Sequence, residues 1–182
     1  MLDEARVEHS DIDSDLALLI KNSTWGLDFT LYTPEKIYGH LGSNKLKSGN
    51  YDVGGVAAEY GYGPLMYELA MSYVYPSALM PNRDGDVRSG SVNVWNRFSS
   101  RSDVRKEDIE FDGPDFPEQY YEDAGMGEDN PGSEFMYTRY YYGGAKDILK
   151  RLENRNLDYI KSGLDPVKID RRGNEYWMSR YD

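Results

Sequence analysis

Apolar positions along this chain fall into short runs separated by glycine, proline and acidic turns. Leu16, Leu18, Leu19 and Ile20 follow the aspartates Asp11, Asp13 and Asp15, which suit the positive end of a helix dipole. Ser10–Lys21 is therefore expected to be a helix capped by Ser10 or Asp11. Asp28 to Tyr32 alternates in polarity and predicts a strand. Thr33-Pro34-Glu35-Lys36 has the form of a cap with proline at the first helical position, and predicts a short helix through Leu41 that stops at Gly42. Ser43 to Asn50 is polar and predicts turns.

Tyr51–Tyr60 reads as a strand carrying Gly54 and Gly55, where a missing side chain marks a bulge or a close backbone approach. Gly61-Tyr62-Gly63-Pro64 predicts a tight turn. Leu65, Leu69 and Tyr73 then share one stripe with Met66 and Ala70 beside it, so Leu65–Val74 is expected to be an amphipathic helix with Pro64 at its start. Tyr75-Pro76 ends it. Ala78 to Met80 predicts a short buried strand, and Asn82-Arg83-Asp84-Gly85 a turn in which Arg83 pairs with Asp84 or Asp86. Ser89–Ser100 predicts a second helix with Val92, Trp95 and Phe98 facing inward.

The pattern changes near residue 105. Residues 1–104 read as a core and 105–134 as an acidic, Gly/Pro-rich loop or linker. Residues 135–182 read as a strand, a C-terminal helix and a charged tail that pack on the core or on a partner. The strand is the aromatic run Phe135–Tyr142, and the helix spans Ala145–Ser162 with Ile148, Leu149, Leu152 and Ile160.

Composition narrows what the chain can do. Its 182 residues suffice for one domain with a real core. A net charge of −11 argues against neutralising nucleic-acid phosphates, so no direct nucleic-acid partner is expected. With no cysteine there is no disulfide, thiolate metal site or cysteine nucleophile. His9 and His40 are the only imidazoles. The spaced aspartates Asp11, Asp13 and Asp15 begin like a calcium loop, but Leu16 stands where such a loop needs glycine and Asn22 where it needs glutamate, so no metal is expected. No run reaches 18 apolar residues, and the opening Met-Leu-Asp-Glu-Ala-Arg is not a signal peptide, so no membrane partner is expected. Seventeen tyrosines supply much of the apolar content, a residue type suited to surfaces that bury a ring and keep a hydroxyl wet.

One constellation carries chemistry. A strand, a Gly-x-Gly turn and a helix start expose backbone N–H groups at the positive end of a helix, which suits a pyrophosphate. The stretch Ala57-Ala58-Glu59-Tyr60-Gly61-Tyr62-Gly63-Pro64-Leu65-Met66-Tyr67, followed by Val94-Trp95-Asn96-Arg97-Phe98, resembles the cofactor half of GNAT-type acyltransferases, in the branch found in tailed-bacteriophage proteins. The resemblance covers about residues 51–101. That family carries Arg/Gln-x-x-Gly-x-Gly/Ala after the fourth strand, and a helix, a fifth strand and a further helix complete its cofactor side.

The resemblance implies an α+β fold, with a GNAT-like mixed central sheet flanked by helices, extended here by the acidic loop and the C-terminal helix. It implies that Tyr60, Gly61, Tyr62, Gly63 and Leu65 hold the pyrophosphate of acetyl-CoA. Two family features are absent. Ala58 stands where the family loop has Arg or Gln, and Ser89–Ser100 contains no tyrosine to protonate a leaving thiolate. Glu59 is the candidate general base by position alone. The expected function is accordingly a catalytically degenerate phage protein without a cofactor. It would work as a virion structural component or by binding other protein chains, phage virion proteins among them, through Tyr137, Tyr140, Tyr141 and Tyr142. The alternative is an active acetyl-CoA-dependent N-acetyltransferase. Either would reside in the host cytoplasm or the virion.

Overall fold

Ser23 closes the first hairpin: its Oγ accepts the Gly26 N–H at 3.2 Å, and its own backbone N–H donates to the Gly26 carbonyl at 2.9 Å. Only glycine fits at position 26, because a Cβ there would lie 1.8 Å from the Ser43 carbonyl oxygen. The computed structural model describes residues 6–12, 14–83, 87, 89–116 and 134–164. Four strands form an antiparallel meander: β1 (Ala17–Asn22), β2 (Gly26–Tyr32), β3 (Ile37–Lys45) and β4 (Tyr51–Ala58). After α1 (Gly63–Val74), β5 (Leu79–Met80) runs parallel to β4. Next come α2 (Ser89–Ser100), β6 (Arg105–Asp108), a 3-10 turn at Glu134–Tyr137, β7 (Thr138–Tyr141) and α3 (Lys146–Lys161). The sheet has seven strands in the order β1-β2-β3-β4-β5-β7-β6.

The class is α+β: a mixed sheet flanked by the three helices found among the described residues, compatible with a GNAT-like fold. The block from β4 to α2 keeps the expected order. Elsewhere the structure differs from expectation in four places.

Ser10–Lys21 is not a helix. His9–Asp11 is a single 3-10 turn, and Leu18 to Asn22 lie in β1, paired residue by residue with β2. The apolar run there is short, and periodicity alone does not separate a buried strand from a buried helix.

Thr33-Pro34-Glu35-Lys36 is a hairpin turn rather than a cap. The Thr33 N–H donates to the Lys36 carbonyl at 2.8 Å, and the Thr33 Oγ1 accepts the Glu35 N–H at 3.4 Å. The chain then enters β3, which continues through Ser43 to Lys45. Gly39 within it makes room for Met66, whose sulfur would stand 2.8 Å from a Cβ there.

The presumed linker begins with β6, which pairs with β7, so 105–108 belongs to the sheet. Finally, Glu134–Tyr137 is a 3-10 turn and only Thr138–Tyr141 is strand. Residues 117–133 of the acidic loop, Asp84–Asp86 and the tail from Asp165 lie outside the described residues.

The core lies where α1 crosses the sheet. Leu65, Met66, Tyr67, Leu69, Ala70 and Met71 are all buried, so α1 is covered nearly all round. Tyr73, expected on its inner stripe, is 41% exposed and meets Phe29 edge-on at 5.6 Å. Trp95 and Phe98 of α2 are buried as expected. Trp95 sits 5.1 Å from the Tyr67 ring and 4.9 Å from the Tyr140 ring. On the other flank α3 buries Leu149 and Leu152, and the Tyr32 hydroxyl donates to the Asn156 Oδ1.

Candidate functional site

β4 and β5 pair only at Tyr51–Leu79 and Asp52–Met80. Beyond those pairs β4 continues to Ala58 while β5 ends, and a groove of about 440 Å³ opens between the end of β4 and α2. One wall is Val56 to Gly61. The other is the start of α2, Ser89 to Ser91, with Val94 and Arg97 behind it. Gly63, Pro64 and Tyr67 of α1 complete it.

The turn at the groove's edge is built from backbone. Gly61 has φ 86°, a left-handed conformation that a side chain disfavours. The peptide unit between Gly61 and Tyr62 is held at both ends: the Tyr62 N–H donates to the Glu59 carbonyl at 3.0 Å, and the Gly61 carbonyl accepts the Val7 N–H at 3.1 Å. The Met66 N–H, bonded to the Tyr62 carbonyl at 3.1 Å, makes the first turn of α1. N–H groups ahead of it have no acceptor inside the helix. A Cβ added at Gly63 would meet nothing within 4 Å. The groove is therefore lined by the N-terminal ends of both α1 and α2, together with Arg97. That arrangement suits an anionic group lying across the turn.

Of the five residues expected at a pyrophosphate, Tyr60, Gly61 and Gly63 line the groove. Tyr60 is 74% exposed on its rim. Tyr62 is directed to β3, its ring 5.0 Å from Tyr38, and Leu65 is buried in the core. Glu59 lines the groove and is ion-paired with Lys36 at 3.1 Å.

The tyrosines expected on a partner surface are mostly interior. Tyr140 is fully buried and shares a 2.7 Å hydrogen bond with Ser99. Tyr141 is buried and donates to the Glu107 carboxylate at 2.7 Å beneath the Arg105 guanidinium. Tyr142 is buried with Arg101 stacked 4.9 Å from its ring centre, and Tyr137 is half-buried against Phe116. They close the core of this chain rather than present a surface.

Sequence reasoning missed three arrangements. Tyr67 reaches the groove from the second turn of α1, and its hydroxyl donates to the Ser91 Oγ at 3.1 Å. Burial pushes this phenol up to about 12, against a weaker opposing pull from Ser91, so it stays protonated at neutral pH. Two phenols thus line the groove, the buried Tyr67 on α1 and the exposed Tyr60 on the rim, and α2 supplies none.

The second arrangement is a polar seal where β4 and β5 do pair. Arg83 is buried there. Its Nε donates to the Pro81 carbonyl at 2.9 Å, and its Nη1 donates to the carbonyls of Met136 at 2.8 Å and Asp115 at 3.1 Å. Its pairing with Asp84 or Asp86 lies outside the described residues. The Asp115 carboxylate accepts from Ser48, from Asn50 at 2.8 Å and from Arg139 at 2.8 Å. Burial raises the Asp115 pKa, but these hydrogen bonds and the Arg139 charge outweigh it and hold the carboxyl below its ordinary value.

The third is the fully buried Glu68 of α1, which binds Arg6 at 2.6 Å, His9 at 2.6 Å and Arg101. The other imidazole, His40, lies on the meander beside Thr30 at 3.1 Å and Asp28 at 3.7 Å; burial lowers its pKa. Among the described residues no group of three or more His, Asp or Glu is placed to hold a metal ion, and no helix is long and apolar enough to cross a membrane.

No protein-family model, curated protein or solved structure matches this chain.

Proposed function

We propose that this chain binds an acyl-CoA in the groove between β4 and α2, on a GNAT-like scaffold, and that N-acyl transfer is the chemistry this site serves. One observation carries the reading: the groove is open at the glycine turn and reaches the first turns of two helices. A scaffold that had lost its ligand is expected to close such a space with side chains, because protein interiors pack tightly. The pyrophosphate would lie against the N–H groups after Gly61, with Arg97 as the counter-charge.

In acyl transfer an acceptor amine attacks the thioester carbonyl and loses a proton, and the departing thiolate gains one. Glu59 is the carboxylate on the groove wall for the first task, and Tyr67 is the phenol within the groove for the second. The test is calorimetric titration with acetyl-CoA, with coenzyme A lacking its acyl group as comparison, alongside thermal melting. Binding of both with a raised melting temperature supports the reading. No heat and no shift at millimolar ligand would remove it.

A second reading, a component that works by binding other protein chains such as those of a phage virion, is favoured by apolar side chains left on the surface. Trp25 at the β1–β2 hairpin tip is 79% exposed and Phe111 is 72% exposed. Light scattering that finds a stable monomer with acyl-transfer turnover would exclude it.

A further inference from the structure

The glycine turn is held from outside its own loop. The N–H of Val7 donates to the Gly61 carbonyl at 3.1 Å, joining segments more than fifty residues apart in the chain. Both flanks of Val7 are fastened to the helix that the turn begins. Arg6 donates to the Glu68 Oε1 at 2.6 Å, and His9 meets the Glu68 Oε2 at 2.6 Å. Arg101, at the end of α2, binds the same carboxylate. Glu68 is fully buried on α1, so its charge is compensated by these partners rather than by water.

Glycine alone does not select this turn. It adopts left-handed and right-handed backbone with similar ease, so a glycine at φ 86° needs a contact that chooses that state. The Tyr62 N–H bond to Glu59 is local and moves with the loop. The Val7 bond is the one with a fixed origin, because Arg6 and His9 tie its donor to α1. The peptide plane between Gly61 and Tyr62 then sets where the next N–H groups point.

We propose that residues 6–9 are a positioning strap for the groove: Val7 fixes the Gly61 peptide, Arg6 and His9 anchor the strap on Glu68, and the loop is thereby held ready for an anionic ligand. The ligand side of this inference rests on the acyl-CoA reading above. The loop side does not.

The experiment uses the full chain and three variants. Val7→Pro removes the donor and leaves both anchors. Arg6→Ala/His9→Ala removes the anchors and leaves the donor. Lys150→Ala is a control on the exposed face of α3. Amide exchange is followed in the ligand-free state across residues 59–65 and across β2 and β3, and acetyl-CoA affinity is measured by calorimetry. Losing one hydrogen bond is expected to speed exchange in the turn about three- to tenfold and to weaken acetyl-CoA by a similar factor in Val7→Pro, with β2 and β3 unchanged. The double variant leaves Glu68 with Arg101 alone and is expected to lower global stability as well, so it supports the strap only where the turn loosens by more than β2 and β3 do. Turn exchange within twofold of the parent in Val7→Pro overturns the strap, and so does a loosened turn with unchanged acetyl-CoA affinity. Should the parent bind no acetyl-CoA, the cofactor reading falls and turn exchange alone decides the strap.

Discussion

The two ends of the β4–β5 seam meet opposite fates. At the end where the strands pair, three buried polar side chains bond within the protein: Arg83 serves three backbone carbonyls, Asp115 takes three side-chain donors, and the Asp52 carboxylate accepts the Arg83 N–H at 2.8 Å and Asn44 at 2.9 Å. At the other end the strands part, two helices begin, and glycine replaces side chains where a seal would need them. A seam sealed by charge at one end and left open at the other separates two roles. The sealed end contributes stability, and the open end is where the proposed ligand would meet backbone donors.

The contrast breaks most visibly at Arg83. Arg83→Met fills similar volume but strips the donors from three carbonyls. Leaving a buried acceptor without its donor costs about 1–3 kcal/mol, so with three carbonyls stripped urea unfolding is expected to show a loss of at least about 2 kcal/mol. A loss below about 1 kcal/mol would mean that the seal is decorative, by the ordinary scale of surface substitutions.

Acid probes the same end. Asp115 has its folded pKa depressed, so its contribution is present above the unfolded carboxylate value and is lost as pH falls through the folded one. Stability is expected to hold from neutral pH down to about 4, the unfolded Asp value, and then to drop. Asp115→Asn is expected to lie below the parent at neutral pH and to converge on it in acid. Parallel acid-unfolding curves would refute that role.

The open end and the seal differed in how far the sequence disclosed them. Gly61 to Val74 is legible because glycine and proline punctuate the turn and the apolar spacing of α1 is local. The same local logic misled at Thr33-Pro34, where a hairpin turn and a helix cap use the same residues and β2–β3 pairing decides between them. It misled again at Leu16–Ile20, where the partner strand selects extended backbone. The groove's phenol and the seal lie beyond sequence reasoning for another reason. Tyr67 and Ser91 are 24 positions apart, Arg83 and Asp115 are 32, and Arg6 and Glu68 are 62. Nothing in their local spacing announces the meeting. The abundance of tyrosine suggested a surface, yet Tyr140, Tyr141 and Tyr142 go inside because β7 is inserted between β5 and β6 rather than left at an edge.

Gly61 is the next substitution by size. Its φ of 86° makes Gly61→Val costly by about 1–2 kcal/mol in stability, read from the urea midpoint. Acetyl-CoA affinity is expected to fall by at least about tenfold, since that loss corresponds to one displaced charge-assisted hydrogen bond. A variant that keeps full affinity would place the anion elsewhere.

Gly63 gives the smallest and sharpest effect, because there the two roles pull apart. A Cβ at position 63 meets nothing within 4 Å, and the residue is already the first of α1. Gly63→Ala therefore meets no atom outside its chain neighbours, but it precedes Pro64, whose ring disfavours helical backbone in a residue with a Cβ, and that strain offsets the gain from restricting the unfolded chain. Stability is expected to stay within about 0.5 kcal/mol of the parent. The added methyl points into unfilled space beside the turn, where the bound anion is expected to come closest to backbone. Acetyl-CoA affinity is expected to fall severalfold in a protein that melts close to its parent. A variant that melts and binds as the parent does would mean that neither the fold nor the ligand needs glycine at position 63, and the open end of the seam would then rest on Gly61 alone.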